Sequence, residues 1–386
     1  MIRIRKLAAR LAAGAGVLAV ATASMVSVHA QGAQAATLGR VISLASIPVN
    51  TPDWSAFAGF GSTSPSWFKD SFGIVHLEGA ATQQHSTGRN PNLLGTLPRP
   101  ARPARNVFVL VHTFAGTYAD LEVAANGQIT LIPPRRPAVT DFRFVSLEGI
   151  TYRPSGTVHE IFVNRLNYSD KAHFGSTVPA WFKDGSGIVH LQGAVRQTHA
   201  VGADQNVIGN VPAAARPARD VFEIVHTFNG TYADLEVATS GEISLIDPFG
   251  FAAKDFSFVS LEDVSYSPGA IFNSMAPPFT GLNTANWSGN AGFGSSEPGW
   301  NLDNAGAIHL QGAVKQTSLS GDTQLIATLP AIIRPHRTIF TIVHTFNGTY
   351  ADVSIGSDGQ IRLINPRAPL SKDFSFVSLE GVTYLP

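Results

Sequence analysis

The sequence predicts an all-β chain of three tandem antiparallel β-sandwich, jelly-roll-like domains, and three observations carry that prediction. The same ten residues recur as "VHTFAGTYAD" from Val111, "VHTFNGTYAD" from Val225 and "VHTFNGTYAD" from Val343. Short runs of alternating apolar residues, punctuated by glycine and proline, follow one another at intervals of roughly ten residues. No convincing amphipathic helix interrupts them. The three histidines of the repeat are 114 and 118 positions apart. That unit is domain-sized, well beyond the roughly 20 to 50 residues of a solenoid repeat, and a chain of 386 residues is too long for one ordinary core. The copies are expected over residues 36–154, 155–268 and 269–386.

The first 35 residues are of another kind. Arg3, Arg5, Lys6 and Arg10 precede the apolar run "AGVLAVATA", and Ala33-Gln34-Ala35 offers a small-residue cleavage site, the pattern of a secretory signal peptide. A retained anchor is the other reading, but the run falls short of the ~20 residues a span needs. Removing the leader leaves 23 basic against 27 acidic residues, which argues against nucleic acid and anionic membrane as partners. Cysteine is absent, so disulfides and thiolate chemistry are excluded. The expected location is secreted or at the cell surface.

Each copy opens with an aromatic six residues ahead of Phe-Gly-Ser: Trp54, Tyr168 and Trp287 before Phe60, Phe174 and Phe293. There follows P-x-W-x-x-D-x-x-G, as in "PSWFKDSFG", read as a loop before a strand. In "GIVHLQGAV" alternation places Val189, Leu191 and Val195 on one face of a half-buried strand. The segments "LPRPARPAR", "VPAAARPAR" and "LPAIIRPHR" carry two fixed prolines and are read as a crossing between sheets. Asn229-Gly230 between alternating runs signals a two-residue type I′ hairpin. That register pairs Phe228 with Thr231 and places His226 with Ala233, leaving Tyr232 and Asp234 on the opposite face. The copies close on "DFRFVSLEGITY", "DFSFVSLEDVSY" and "DFSFVSLEGVTY".

The order D-x-x-G-x-V-x-L-x-G-x-V, then L-P-x-x-x-R-P, then the hairpin, then V-S-L-x-G-(I/V)-x-(F/Y), resembles the C-terminal receptor-binding β-sandwich of bacteriophage tail fibres and baseplate proteins. The likeness covers Pro65 to Tyr152, Pro179 to Tyr266 and Pro298 to Tyr384. It implies a saccharide- or surface-binding module that assembles as a trimer, one copy per chain. This chain departs in carrying a leader and three copies. Its linkers, 152–167 and 266–287, are long enough for the copies to sit side by side, so an intramolecular pseudo-trimer is expected.

The recurring polar residues each allow two readings. His112, His226 and His344 could meet on an axis as an open three-histidine zinc site or serve as rim histidines bonded to neighbours; no local spacing such as H-x-x-x-H supports a metal, and neither metal nor cofactor is assigned. Asp120, Asp234 and Asp352 are read as structural partners of Arg105, Arg219 and Arg337. Trp67, Trp181 and Trp300 are the candidate ligand-binding residues, because an indole stacks on sugar C–H groups, with Asp70, Asp184 and Asp303 orienting hydroxyls or capping the turn. Neither a two-carboxylate glycosidase arrangement nor a nucleophile elbow nor a phosphate loop is present, so no enzyme is expected. The expected function is non-catalytic recognition of polysaccharide or a cell-surface glycan; the alternative is a structural envelope or extracellular matrix protein without a dedicated ligand.

Overall fold

In each copy, alternating side chains build two antiparallel sheets whose inner faces share one apolar core. The structure is a computed structural model that describes residues 44–133, 141–246, 255–269, 273–275, 281–364 and 374–386; the leader lies outside them. In the first copy the small sheet runs Ala45–Ser46, Ser66–Lys69, Val75–Glu78, Thr151–Tyr152. The large sheet runs Trp54–Ser55, Ala80–Gln83, Val145–Ser146, Val107–Thr113, Thr117–Val123, Gln128–Ile132, Leu93–Thr96. The other copies repeat this order, and the second adds Phe162–Val163 beside Val207–Asn210.

The chain passes from small to large sheet at Gly79, Gly193 and Gly312, all in the left-handed region. A Cβ on Gly79 would strike the Ser64 carbonyl, so glycine alone fits this kink. The expected continuous strand over "GIVHLQGAV" is therefore two strands, Val189–Gln192 and Ala194–Gln197. Val189, Leu191 and Val195 do enter the core, but His190 and Gln192 on the other face are buried as well.

The proline segments differ from expectation too. Each forms a short 3-10 turn, Arg99–Ala101, Ala213–Ala215 or Ala331–Ile333, and returns the chain from a strand at or next to the edge of the large sheet to that sheet's interior. It does not cross between sheets. The last tyrosine of each copy holds it in place: the hydroxyls of Tyr152, Tyr266 and Tyr384 donate to the carbonyls of Ala101, Ala215 and Ile333 at 2.6, 2.8 and 2.9 Å.

The hairpin register is one residue away from the expected one. Asn229 and Gly230 have φ of 63° and 77°, as the turn requires, yet pairing begins at Thr227 and Thr231. Phe228 has left the ladder: its N–H donates to Phe258 and its carbonyl accepts from the Thr231 hydroxyl at 2.8 Å. The slip reverses the faces of one strand relative to the other. Val221, Val225, Ala233, Leu235 and Val237 face the core, while Phe222, Ile224, His226, Tyr232 and Asp234 share the outer face.

Those outer faces meet. The strands Val107–Thr113, Val221–Thr227 and Ile339–Thr345 are mutual neighbours, and Tyr118, Tyr232 and Tyr350 stand edge to face around a shared axis with ring centroids 5.2–5.3 Å apart. Smaller apolar clusters such as Phe108, Ala172, Ala194 and Phe258 lie between copies. The described residues thus form one compact unit, an intramolecular pseudo-trimer with three cores. Small-angle scattering of residues 36–386 should give a radius of gyration near ~20 Å, the value for a single globule of this length; a string of three separate beads would give a much larger one.

Candidate functional site

The last arginine of R-P-x-R and the glutamate of V-S-L-E, which recur in every copy, converge on the three seams between copies. Across the first seam the Arg105 guanidinium grips the Glu262 carboxylate with two hydrogen bonds of 2.6 Å. Arg219 grips Glu380 at 2.6 and 2.8 Å, and Arg337 grips Glu148 at 2.7 and 2.8 Å, which closes the cycle from third copy to first. The same three carboxylates accept the N–H of Gly193, Gly312 and Gly79 at the sheet-to-sheet kinks. Ser260, Ser378 and Ser146 add hydroxyl bonds of 2.7 Å to the carbonyls of Phe108, Phe222 and Phe340.

The histidines and aspartates form a second cycle nearer the axis. His226 Nδ1 lies 2.6 Å from Asp120, His112 Nδ1 lies 2.5 Å from Asp352, and His344 Nδ1 lies 2.7 Å from Asp234. The third pair has the distance but not the alignment of a hydrogen bond. Each imidazole also stacks on a phenylalanine of the neighbouring copy, Phe108, Phe340 or Phe222, at 5.3–5.5 Å. Burial pushes all three carboxyls above their ordinary range, against the pull of the histidines. The imidazoles are therefore seam residues, each beside a carboxylate of the preceding copy in the cycle. The expected Asp–Arg pairing is corrected: the slipped register turns each aspartate to the histidine face, and the arginines take the glutamate of V-S-L-E instead.

The candidate ligand residues are placed as follows. Trp67, Trp181 and Trp300 lie on strands, Ser66–Lys69, Ala180–Lys183 and Gly299–Leu302, not in loops. All three pack on their cores; Trp181 is buried and rests on His159 at 4.8 Å, whereas Trp67 and Trp300 keep partial exposure. Asp70, Asp184 and Asp303 are turn hubs. Asp70 Oδ1 accepts from the N–H of Phe72 and Ile74 at 2.8 and 2.9 Å, and its Oδ2 meets His76 at 3.1 Å. Asp184 does the same with Ser186, Ile188 and His190, and Asp303 with Ala305, Ala307 and His309. Burial opposes ionisation of Asp303, but the bonds from His309 and Ala307 outweigh it and hold this carboxyl below its usual value.

The part of each copy that differs most and stays exposed is the loop between the "GAV" strand and the next edge strand: residues 84–92, 198–206 and 317–324. One buried residue anchors each loop. The Asn167 carbonyl accepts from Thr198 and His199, its Oδ1 from Val201, and its amide donates to Asp204. Asn286 accepts from Thr317 and Ser318 and donates to the Ser318 and Ser320 carbonyls. Asp53 accepts from Gln84 and His85, and Gly88 lies so close to its carboxylate that no Cβ would fit. Sequence reasoning missed these anchors, although each directly precedes the opening aromatic: Asp53-Trp54, Asn167-Tyr168, Asn286-Trp287. The loops they present are chemically unlike: His85 and Arg89 in the first, His199, Val201 and Asp204 in the second, Leu319 and Asp322 in the third.

Among the described residues no group of histidine, cysteine and carboxylate side chains is arranged to hold a metal ion, and no helix is long and apolar enough to cross a membrane. The chain matches no protein-family model, and no curated protein matches it significantly.

Two substitutions separate seam from loop. Arg105→Met leaves the buried Glu262 carboxylate without its cation and should cost ~3–5 kcal/mol in a denaturant titration. Asn286→Ala removes two amide bonds to the 317–324 loop; hydrogen exchange should quicken there with little change at the seams, whereas uniform acceleration would assign Asn286 to the core instead.

Proposed function

We propose that this chain is a secreted, non-catalytic binding protein that recognises polysaccharide or a glycan-bearing cell surface through three unlike loop sets on one rigid body. The observation that carries this reading is a division of labour. The charged residues common to the copies are consumed in the seams or in turns of their own copy, while the differences between copies collect in exposed loops hung from a common buried anchor. Loops on a rigid scaffold are where binding residues concentrate. Three weak sites tethered in one body gain effective affinity without any single strong pocket. Export is inferred from the basic and apolar leader, and the glycan class from the tail-fibre likeness together with the partly exposed Trp67 and Trp300 beside the turns held by Asp70 and Asp303.

One observation favours a purely structural envelope or matrix role: Asp70, Asp184, Asp303 and Trp181 are fully committed to their own fold. Retention of the mature protein on a panel of cell-wall and capsular polysaccharides decides between the two. Binding is expected on at least one, and replacing residues 199–205 or 318–323 by Gly-Ser linker should weaken it by ~10-fold or more without shifting the thermal midpoint. Absence of retention on every polysaccharide, at concentrations where weak sites fill, leaves the structural role.

A further inference from the structure

At three seam positions the threefold pattern of the sequence is broken, each time by an acid. Glu78 stands where the sister copies have Gln192 and Gln311, Glu223 where they have Val109 and Thr341, and Asp263 where they have Gly149 and Gly381. Each lies in a different seam. Glu78 of the first copy reaches Arg337 of the third at 2.9 Å, but that guanidinium already holds Glu148 with two bonds. Asp263 of the second copy accepts from the N–H and hydroxyl of Thr151 in the first, at 3.0 and 3.1 Å. Glu223 of the second copy fills the space beside Gly381 of the third, where any side chain would collide with its carboxylate.

None of the three has a cation to itself. Around Glu78 the charged and titratable groups are Arg337, Glu148, His76 and Tyr384. Around Asp263 they are Glu262, Glu223, Arg105, Arg153, His190 and Tyr152; Arg105 is taken by Glu262, and Arg153 lies over the Phe182 ring at 5.0 Å. Around Glu223, which borders a small cavity where the three copies meet, are Glu380, Asp263, Arg219, Tyr266, His226 and His344, with Arg219 already bound to Glu380. Glu78 and Glu223 are buried; Asp263 keeps some solvent contact.

We propose that these three acids make the pseudo-trimer a pH-sensitive clasp: tight in mildly acidic surroundings, where they carry protons, and loosened at all three seams as the medium turns alkaline and each seam gains an uncompensated negative charge. Burial pushes Glu78 up to about 7, opposed by Arg337 and reinforced by Glu148. Asp263 is raised to about 8 by burial against the bonds from Thr151. Glu223 is raised well above its ordinary value by burial and then by Glu380 and Asp263. Unfolded, the same acids ionise near ~4. The stabilisation is therefore complete below about 4 and is lost as pH rises toward 8, because over that window the folded state holds protons that the unfolded state has released.

The variant E78Q/E223V/D263G restores at each position a residue that a sister copy already accommodates. The intact mature chain and this variant are compared by thermal midpoint and scattering radius from pH 5 to 9. In the parent the midpoint should fall with rising pH, the unfolding constant growing by about tenfold per pH unit for each proton released. The variant should show a shallower fall, with a higher midpoint and smaller radius than the parent at pH 9. Parallel pH curves for the two proteins, or a parent midpoint that is level or rises toward pH 9, overturn the proposal. Should the triple variant fail to fold, E78Q alone decides in the same way: a smaller flattening of the same sign supports the clasp, and a curve parallel to the parent overturns it.

Discussion

Each seam depends on a guanidinium gripping a carboxylate where little water reaches. Taking two ions out of water costs several kcal/mol per ion, and an ion pair recovers that only with good geometry and with its remaining polar atoms satisfied. The geometry here meets the condition. Arg105 makes two parallel bonds to Glu262, its Nη1 donates to the Arg153 carbonyl, and Glu262 takes a further bond from the Gly193 N–H at the sheet-to-sheet kink. The carboxylate thus ties the neighbouring copy to the one backbone position in its own copy where the chain must turn. A seam that slid by a single residue would break both Arg105–Glu262 bonds, whereas an apolar seam of equal area would tolerate the slip. The ion pair contributes a unique docking geometry more than raw stability.

The inner cycle of histidine and aspartate works by the same logic under tighter burial. Each aspartate is fully enclosed, and Asp120 and Asp352 each retain an oxygen without a partner. Such a group is tolerable only because the imidazole supplies both a hydrogen-bond partner and, through its ring face, an apolar contact with the neighbouring phenylalanine. The tyrosine triad then closes the axis with edge-to-face contacts, which need no desolvated charge at all. Polarity falls from the periphery of each seam toward the axis, so the seam is aligned by charge and sealed by aromatic packing.

Local features of this fold were legible in the sequence, and relations between copies were not. Alternation and turn glycines report on residues a few positions apart, and the strands follow from them; the triplication marks out the three copies, whereas the kink at Gly193 was hidden inside a run that reads as one strand. The partner of His112 is 240 positions away and that of Arg105 is 157 away, so no spacing rule reaches them. The hairpin register failed for a related reason. A two-residue loop follows from Asn229-Gly230 alone, but the carbonyl of Phe258, just ahead of the adjacent strand Val259–Ser260, captures the Phe228 N–H and moves the first pair by one residue. The tryptophans were misplaced because proline before Trp67 and Trp181 reads as loop chemistry, whereas it sits directly ahead of a strand that an edge partner covers. The loop anchors were readable in principle, since an Asn or Asp precedes the opening aromatic in each copy, but a single polar residue carries no signal until its bonds are seen.

The arrangement also limits its own growth. Every seam is heterologous: one copy offers arginine and aspartate, and the next offers glutamate and histidine. Surfaces of this kind form a closed ring when the rotation between copies closes and an open filament when it does not. In this chain the third copy's Arg337 and Asp352 meet Glu148 and His112 of the first, so three copies use three seams and neither half of any seam is left over. Covalent linkage makes that closure intramolecular and removes the concentration dependence that three separate chains would face. It also frees the copies from identity. A homotrimer must carry the same loop three times, whereas three copies in one chain keep the paired arginine, glutamate, histidine and aspartate of the seams and let residues 84–92, 198–206 and 317–324 diverge. Rigid spacing of unlike loops on one body is thus a direct consequence of building the trimer within a single chain.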